Sequence, residues 1–244
     1  MTGASSGIGR ALALELVRRG LPELVVTARR EALLVELADE LRALGGRVHT
    51  EVLDVTDPER VFACVRRWDQ ELGGFDLVVA NAGIGAARAV QEQTWEDIDS
   101  VLAVNVQGAI ATLFAALEPM LRRNTGTLVG ISSVASQRGL PQSGAYSASK
   151  AALSTWLETI GLDLHATGLS VVDVRPGFVL TAMTASAEFP KPFEISVEAA
   201  ARITVDGIER GRAVVSFPRP MAGIMWLARR LPDTVWRFVA RRVR

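Results

Sequence analysis

The sequence predicts an α/β fold, a doubly wound parallel sheet with helices on both faces. Three observations carry this. Apolar runs of strand length alternate with stretches of helical periodicity along nearly the whole chain. Most of those runs are continuously apolar, as in strands covered on both faces. The chain also opens on a glycine-rich turn, "TGASSGIG" at 2–9, that leads directly into an apolar helix. With 244 residues, 49% of them hydrophobic, there is material for one domain with a sizeable core.

In chain order, residues 9–19 read as a helix with Leu12 and Leu16 on one face and Gly20 as its stop. "LVVTARR" (24–30) is a buried strand running out into arginines, 31–44 a helix ended by Gly45 and Gly46, and "RVHTEVLDV" (47–55) a strand. Asp57-Pro58 starts the next helix. "FDLVVANAG" (75–83) is a strand ending in a small-residue turn, and a long helix covers 94–122. Its uncharged stretch 100–117 has the apolarity of a membrane span, but Ser100, Asn105, Gln107 and Thr112 within it favour a buried helix. There follow a strand "GTLVGISS" (126–133), a helix 146–166, a strand "LSVVDVRPG" (169–177), a helix near 196–209 and a short strand at 212–217. No internal repeat or low-complexity linker interrupts the series.

Composition excludes some chemistry. The single cysteine, Cys64, rules out an intrachain disulfide, and His49 and His165 are far apart, so no metal site is expected. Met1 leads into the glycine turn without a signal peptide, and a reducing, cytoplasmic compartment is expected.

The glycines at 3, 7 and 9 allow a tight turn and close approach of backbone to a pyrophosphate, whose charge faces the N-terminus of the following helix. Such a turn alone is also compatible with an ordinary loop. Further along, Tyr146 and Lys150 are four apart and share a helix face. A lysine ammonium beside a phenol favours phenolate, which is expected to lower the Tyr146 pKa. Ser133, at the end of a strand, is placed to hydrogen-bond a carbonyl oxygen.

Together with "NAG" (81–83), "VNVQG" (104–108), "ISS" (131–133), "YSASK" (146–150) and "RPGFVLT" (175–181), the glycine turn makes an ordered set that resembles the short-chain dehydrogenase/reductase family from residue 2 to about 216. The resemblance implies a Rossmann-type domain over 1–217, with 218–244 as a C-terminal basic amphipathic extension. It implies an oxidoreductase that interconverts a carbonyl and a secondary alcohol by hydride exchange with a nicotinamide coenzyme. Tyr146 would be proton donor and acceptor, with Ser133 polarising the carbonyl. Lys150 would also hold the nicotinamide ribose, and Asn105 would fix a water linking Lys150 to solvent. Ser132 is expected to be structural.

For the coenzyme, the resemblance assigns the phosphate turn to Gly3, Ser5, Ser6, Gly7, Ile8 and Gly9. Asp54 and Val55 would contact adenine, with Asn81, Ala82 and Gly83 as the adenosine-side wall. The nicotinamide end falls to Pro176, Gly177, Val179 and Thr181, the last holding the carboxamide. The second strand ends "TARR", with Arg29 and Arg30 where NAD-dependent folds carry an acid. Guanidinium suits a 2′-phosphate, so NADP(H) is expected; a solvated loop charge is the other reading for one of the two arginines. A homo-oligomer through the helices at 94–122 and 146–166 is implied by resemblance only.

Two features depart from the pattern. The strand that ordinarily ends in "TGAS" lies in the middle of the sheet, between the strands at 24–30 and 75–80, and here the chain begins inside that motif. An empty slot would expose two strand edges and open a core cavity, at a cost of several kcal/mol. A chain short by a few residues is the favoured expectation; a reduced, inactive fold is the alternative. The second feature is charge: between 219 and 244 seven arginines (219, 229, 230, 237, 241, 242, 244) face one acid, Asp233, a net of +6 in a chain that is neutral overall. Trp226, Leu227, Leu231, Val235, Trp236, Phe238 and Val239 interleave with them. An anionic membrane surface, packing on the domain and a contact between copies all fit this pattern; nucleic acid is not expected.

Met183, Phe189, Phe193 and Ile195, in the segment 182–195, point to an apolar small-molecule substrate. The competing reading from another class is a non-catalytic dinucleotide-binding or membrane-surface interaction protein. The Ser-Tyr-Lys set argues against it and the absent strand for it.

Overall fold

Parallel strands carry the fold in the computed structural model, which describes residues 1–85, 88–185 and 190–242. Strands β1 (Glu23–Ala28) and β2 (Arg47–Val52) pair with each other; β3 (Leu77–Ala80), β4 (Gly126–Ile131), β5 (Leu169–Pro176) and β6 (Val214–Phe217) form a four-stranded sheet in that order. All ladders are parallel, for example Val25↔His49 and Leu128↔Val171.

Alternation along the strands sorts side chains onto two faces. Val78 and Leu128 point into a core shared with α3 (Pro58–Glu71), α5 (Ala109–Arg123) and α6 (Gly144–Asp163), where Leu113, Leu153 and Leu157 are buried. Val79, Val129 and Val172 point the other way, onto Leu12 and Leu16 of α1 (Gly7–Arg18) and Val205 of α8 (Val197–Glu209). Arg19 fastens α1 to α8 by bonds to Glu15 (2.9 Å) and Asp206 (2.9 Å). The helix α2 (Glu31–Ala43) buries Leu34, Leu37 and Leu41 against β1.

The expected long helix is three pieces: α4 (Trp95–Leu102), a π-helical turn (Ala103–Gly108) and α5. The run Trp95–Arg123 is long and apolar enough to cross a membrane by length and composition. Half of its most apolar stretch is nevertheless buried inside the domain, as expected of a core helix.

The slot expected to stand empty is occupied in part. Met1 and Thr2 lie between β1 and β3: Thr27 N donates to Met1 O (2.9 Å), Ala4 N to Thr27 O (3.1 Å) and Thr2 N to Val79 O (3.0 Å). Two residues therefore satisfy the ends of both flanking strands, which leaves the sheet as two hydrogen-bonded parts joined through them. The Met1 ammonium donates to Val25 O (2.9 Å), and burial lowers its pKa from 8.0 to about 6.

The C-terminal segment folds as two helices, α9 (Arg219–Arg230) and α10 (Asp233–Ala240), parted at Leu231-Pro232. Met221 and Met225 of α9 pack with Val134, Leu140 and Phe178 of the body.

Candidate active site

The carboxyl ends of β1, β3, β4 and β5 open onto one cleft of about 280 Å³. Its one end is the glycine turn. Gly3 (φ 67°) and Gly7 (φ 56°) take left-handed backbone that a side chain would strain. At Gly9 a Cβ would stand 2.3 Å from Asn81 Nδ2 and 2.4 Å from Gly3 O. Asn81 closes the turn, donating from Nδ2 to the carbonyls of Thr2 (3.1 Å) and Gly3 (3.0 Å). The helix α1 begins here with no side-chain cap from Ser6 and no acid in its first turn, so its positive end stays available to an anion at the cleft.

The two arginines have separate surroundings. Arg30 donates to Ser5 Oγ (3.1 Å) and Ser6 Oγ (2.9 Å), beside the turn. Arg29 lies 3.9 Å from Asp54, whose carboxylate also accepts from the Thr56 amide (3.0 Å). Val55 packs against Gly108, where a Cβ would come within 2.7 Å of it. Helix-terminal amides, two hydroxyls and two guanidiniums are a donor set that fits the phosphates of a dinucleotide. The uncrowded wall from Ala82 to Ile84 leaves length for the rest of such a molecule.

At the other end stand Tyr146 and Lys150, one turn apart on α6, with Lys150 Nζ 5.8 Å from the Tyr146 ring centre. The expected lowering of the phenol pKa is not what this geometry gives. Burial pushes the Tyr146 phenol up from its ordinary value, and a hydrogen bond with Ser133 draws it back in part. Lys150 instead donates to Ile131 O (2.8 Å). Burial lowers its pKa from 10.5 to about 8, and the Asp173 carboxylate opposes that fall.

Ser133 lies two residues beyond the end of β4 and is buried; its hydroxyl donates to Pro176 O (3.2 Å) and accepts from the Ala135 amide (3.1 Å). Ser132 lines the cleft but turns its hydroxyl to the Asp173 carboxylate and to Val174 O (3.1 Å). Asn105, fully buried in the π-helical turn, accepts from Ile84 N (2.9 Å) and donates to Ile84 O (2.8 Å) and Ser149 Oγ (3.0 Å). A Cβ on Gly83 would sit 3.3 Å from both Asn105 Oδ1 and Lys150 Nζ, so this glycine keeps the space between them open.

Pro176, Gly177, Val179 and Thr181 form the far wall. Thr181 is tied to Thr184 through both its amide (3.0 Å) and its hydroxyl (3.3 Å), and its methyl faces Gly7. Ile195 pairs with this wall, accepting from Leu180 N (2.9 Å), while Met183 and Phe193 stay largely exposed. Phe189 lies outside the described residues. A second hollow, about 250 Å³, adjoins Tyr146; it is lined by Ile84, Gly85 and Val101 but also by the Arg88–Asp97 ion pair (3.0 Å).

The sequence-predicted coenzyme residues, with Tyr146 and Lys150, thus line one cleft; Ser133 reaches it through Tyr146, and Asn105 is buried behind it on Ile84 and Ser149. Sequence reasoning missed Gly85, where a Cβ would lie 2.6 Å from the Tyr146 ring, and Ser149, which joins Asn105 to Tyr146. Both sit inside or beside motifs already singled out. Asp173 carried no such signal.

The family model for short chain dehydrogenase matches residues 1–191. An uncharacterized oxidoreductase of Myxococcus xanthus is 45% identical over 244 residues, all of this chain and 96% of the relative. Among solved structures, a short-chain dehydrogenase/reductase from Burkholderia phymatum in complex with NAD superposes with a TM-score of 0.86 at 26% identity, covering 93% of this chain and 91% of that one. A short-chain dehydrogenase from Sphingobium yanoikuyae in complex with NADPH gives 0.84 at 27% identity, covering 100% and 95%. A sheet-end cleft with a glycine turn at one end and a Tyr-Lys helix at the other, in a chain so matched, leaves one assignment: the protein belongs to the short-chain dehydrogenase/reductase family of oxidoreductases.

Proposed function

We propose that the protein interconverts a carbonyl and a secondary alcohol of an apolar small molecule, using NADP(H). The observation that carries this reading is the convergence of Tyr146, Lys150 and Ser133 at one end of a cleft whose other end offers amides, hydroxyls and guanidiniums to phosphate. The coenzyme, when bound, supplies or accepts the hydride. Tyr146 holds the proton that the substrate oxygen gains or loses, and Ser133 orients the phenol and that oxygen. Lys150, ammonium at neutral pH and anchored on Ile131 O, sets a positive charge beside the phenol ring and would hold the nicotinamide ribose of a bound coenzyme. Asn105 ties the loop after β3 to α6 and thereby fixes where Tyr146 stands.

The preference for NADP(H) rests on Arg29 and Arg30; Arg29 is shared with Asp54 at 3.9 Å, whereas among the described residues no carboxylate pairs with Arg30. One solved neighbour holds NAD and another NADPH, so the chain's own arginines carry this part of the reading. The apolar substrate rests on Met183, which lines the cleft, and on the exposed Phe193 further along the same segment. Exposed Phe114, Leu121 and Leu162 on α5 and α6 support an oligomer through those helices.

The test is a fluorescence titration with NADPH and NADH. Arg30→Ala and Arg29→Ala should each weaken NADPH roughly 10- to 100-fold, the worth of charge-assisted phosphate bonds, and leave NADH unchanged. Equal losses for both coenzymes, or none, would refute the NADP(H) assignment. A screen of carbonyl compounds at saturating NADPH, with Tyr146→Phe as the inactive control, tests the reaction.

A further inference from the structure

The outward faces of α9 and α10 are not consumed by packing. Met221, Met225, Ala228 and Ala240 face the body, and Trp236 is pinned there by its indole N–H to Gly139 O (3.2 Å). The opposite side carries Trp226, Leu227 and Phe238, 54%, 56% and 58% exposed. Two guanidiniums lie on these rings, Arg230 at 3.5 Å from Trp226 and Arg242 at 3.7 Å from Phe238, each one helical turn further on. Among the described residues no carboxylate pairs with Arg229, Arg230, Arg237, Arg241 or Arg242; the sole acid, Asp233, is taken by Arg138 at 2.7 Å.

We infer that α9 and α10 dock the protein on an anionic lipid bilayer. The pairing of exposed rings with unneutralised guanidiniums is what selects this occupant. Indole and phenyl groups enter the boundary between headgroups and acyl chains, while the guanidinium lying beside each ring reaches lipid phosphate. The charge distribution favours one face: 219–244 carries a net +6 and the remainder −6, so an anionic surface attracts these helices and repels the rest of the domain. This inference is independent of the proposed activity, since none of these side chains belongs to the cleft.

The experiment is sedimentation of the purified full chain with phosphatidylcholine vesicles, with and without phosphatidylglycerol. Pelleting is expected with the anionic vesicles only, and should weaken as salt rises. Arg230→Gln with Arg242→Gln should weaken partitioning roughly 25-fold, two charges at about fivefold each. Trp226→Ser and Phe238→Ser should weaken it roughly tenfold each. All four side chains are on the surface, so circular dichroism and thermal melting should match the parent. Failure to pellet with anionic vesicles, or pelleting that the substitutions leave intact, overturns the inference. So does an oligomer that dissociates on these substitutions while no vesicle binding is seen, which would make the face a contact between copies of the chain.

Discussion

Lys150 is the buried charge at the Tyr146 end of the cleft, and its protonation can be read out as stability. Burial lowers its pKa from 10.5 to about 8, so the folded protein releases this proton well before the unfolded chain does. Below pH 8 both states hold the proton, and the folded state bears the full cost of a desolvated ammonium. The displacement of about 2.5 pKa units corresponds to about 3 kcal/mol. Between pH 8 and 10.5 the unfolded state binds more protons than the folded one, so stability attributable to Lys150 rises with pH and levels off above 10.5. Lys150→Met keeps the unbranched stem and removes the titration. Denaturant unfolding of both proteins at pH 7 and pH 9.5 should show the parent gaining about 2 kcal/mol relative to the variant, other titrations cancelling in the difference. A difference that does not change with pH, or that shifts against the parent as pH rises, would refute a lysine held in a desolvated site.

Three further outcomes are expected. Tyr146 is the only tyrosine in the chain, so the ultraviolet titration of tyrosinate reports it alone; its midpoint should lie above 10 without coenzyme and rise further in Ser133→Ala, and a midpoint at or below 10 would contradict the burial argument. Gly9→Ala sets a methyl 2.4 Å from the backbone oxygen of Gly3, which is already held by Asn81 Nδ2 (3.0 Å); thermal and denaturant melts should show a loss of about 1–3 kcal/mol and titration should show no NADPH binding. Gly85→Ala places a methyl 2.6 Å from the Tyr146 ring, so turnover in steady-state assays should fall roughly 100-fold with NADPH affinity retained; equal loss of both would mean the loop as a whole has collapsed.

The alternation of strands and helices was legible because buried parallel strands are short apolar runs, and their errors have local causes. The apolar run "LVVTARR" overstates its strand by two residues at the end: pairing with β2 stops at Ala28↔Val52, and α2 begins at Glu31, so Arg29 and Arg30 leave the sheet for the cleft. The π-helical turn at Ala103–Gly108 was invisible because one extra residue in a turn hardly disturbs an apolar pattern that continues on both sides. As sequence, Met1 and Thr2 are only the edge of a motif, yet the backbone groups of Thr27 and Val79 need partners whatever the length of the strand supplying them. The Tyr146–Lys150 spacing located both residues correctly on one helix but could not show that Ile131 O, from the end of β4, competes for the ammonium.

That last gap has a general reason, and Asn105 makes it visible. Spacing within a motif reports which residues share a face, whereas their chemistry depends on where distant backbone groups fall. The Asn105 amide uses both donor hydrogens and an acceptor on Ile84 and Ser149, and Ser149 passes the chain on to Tyr146 O (2.8 Å). One buried side chain thus fixes the loop after β3, the π-helical turn and the helix that carries the phenol. Leaving any of those groups unpaired in a dry interior costs about 1–3 kcal/mol, so the three segments hold one arrangement. The side chain has one acceptor lone pair left, on Oδ1, and the bare backbone of Gly83 keeps the way from it to Lys150 Nζ open. A larger residue at position 83, the last of the "NAG" turn, would close that way while leaving every titratable side chain in place. The bare backbone at Gly83 therefore matters to the proposed proton chemistry as much as the titratable side chains do.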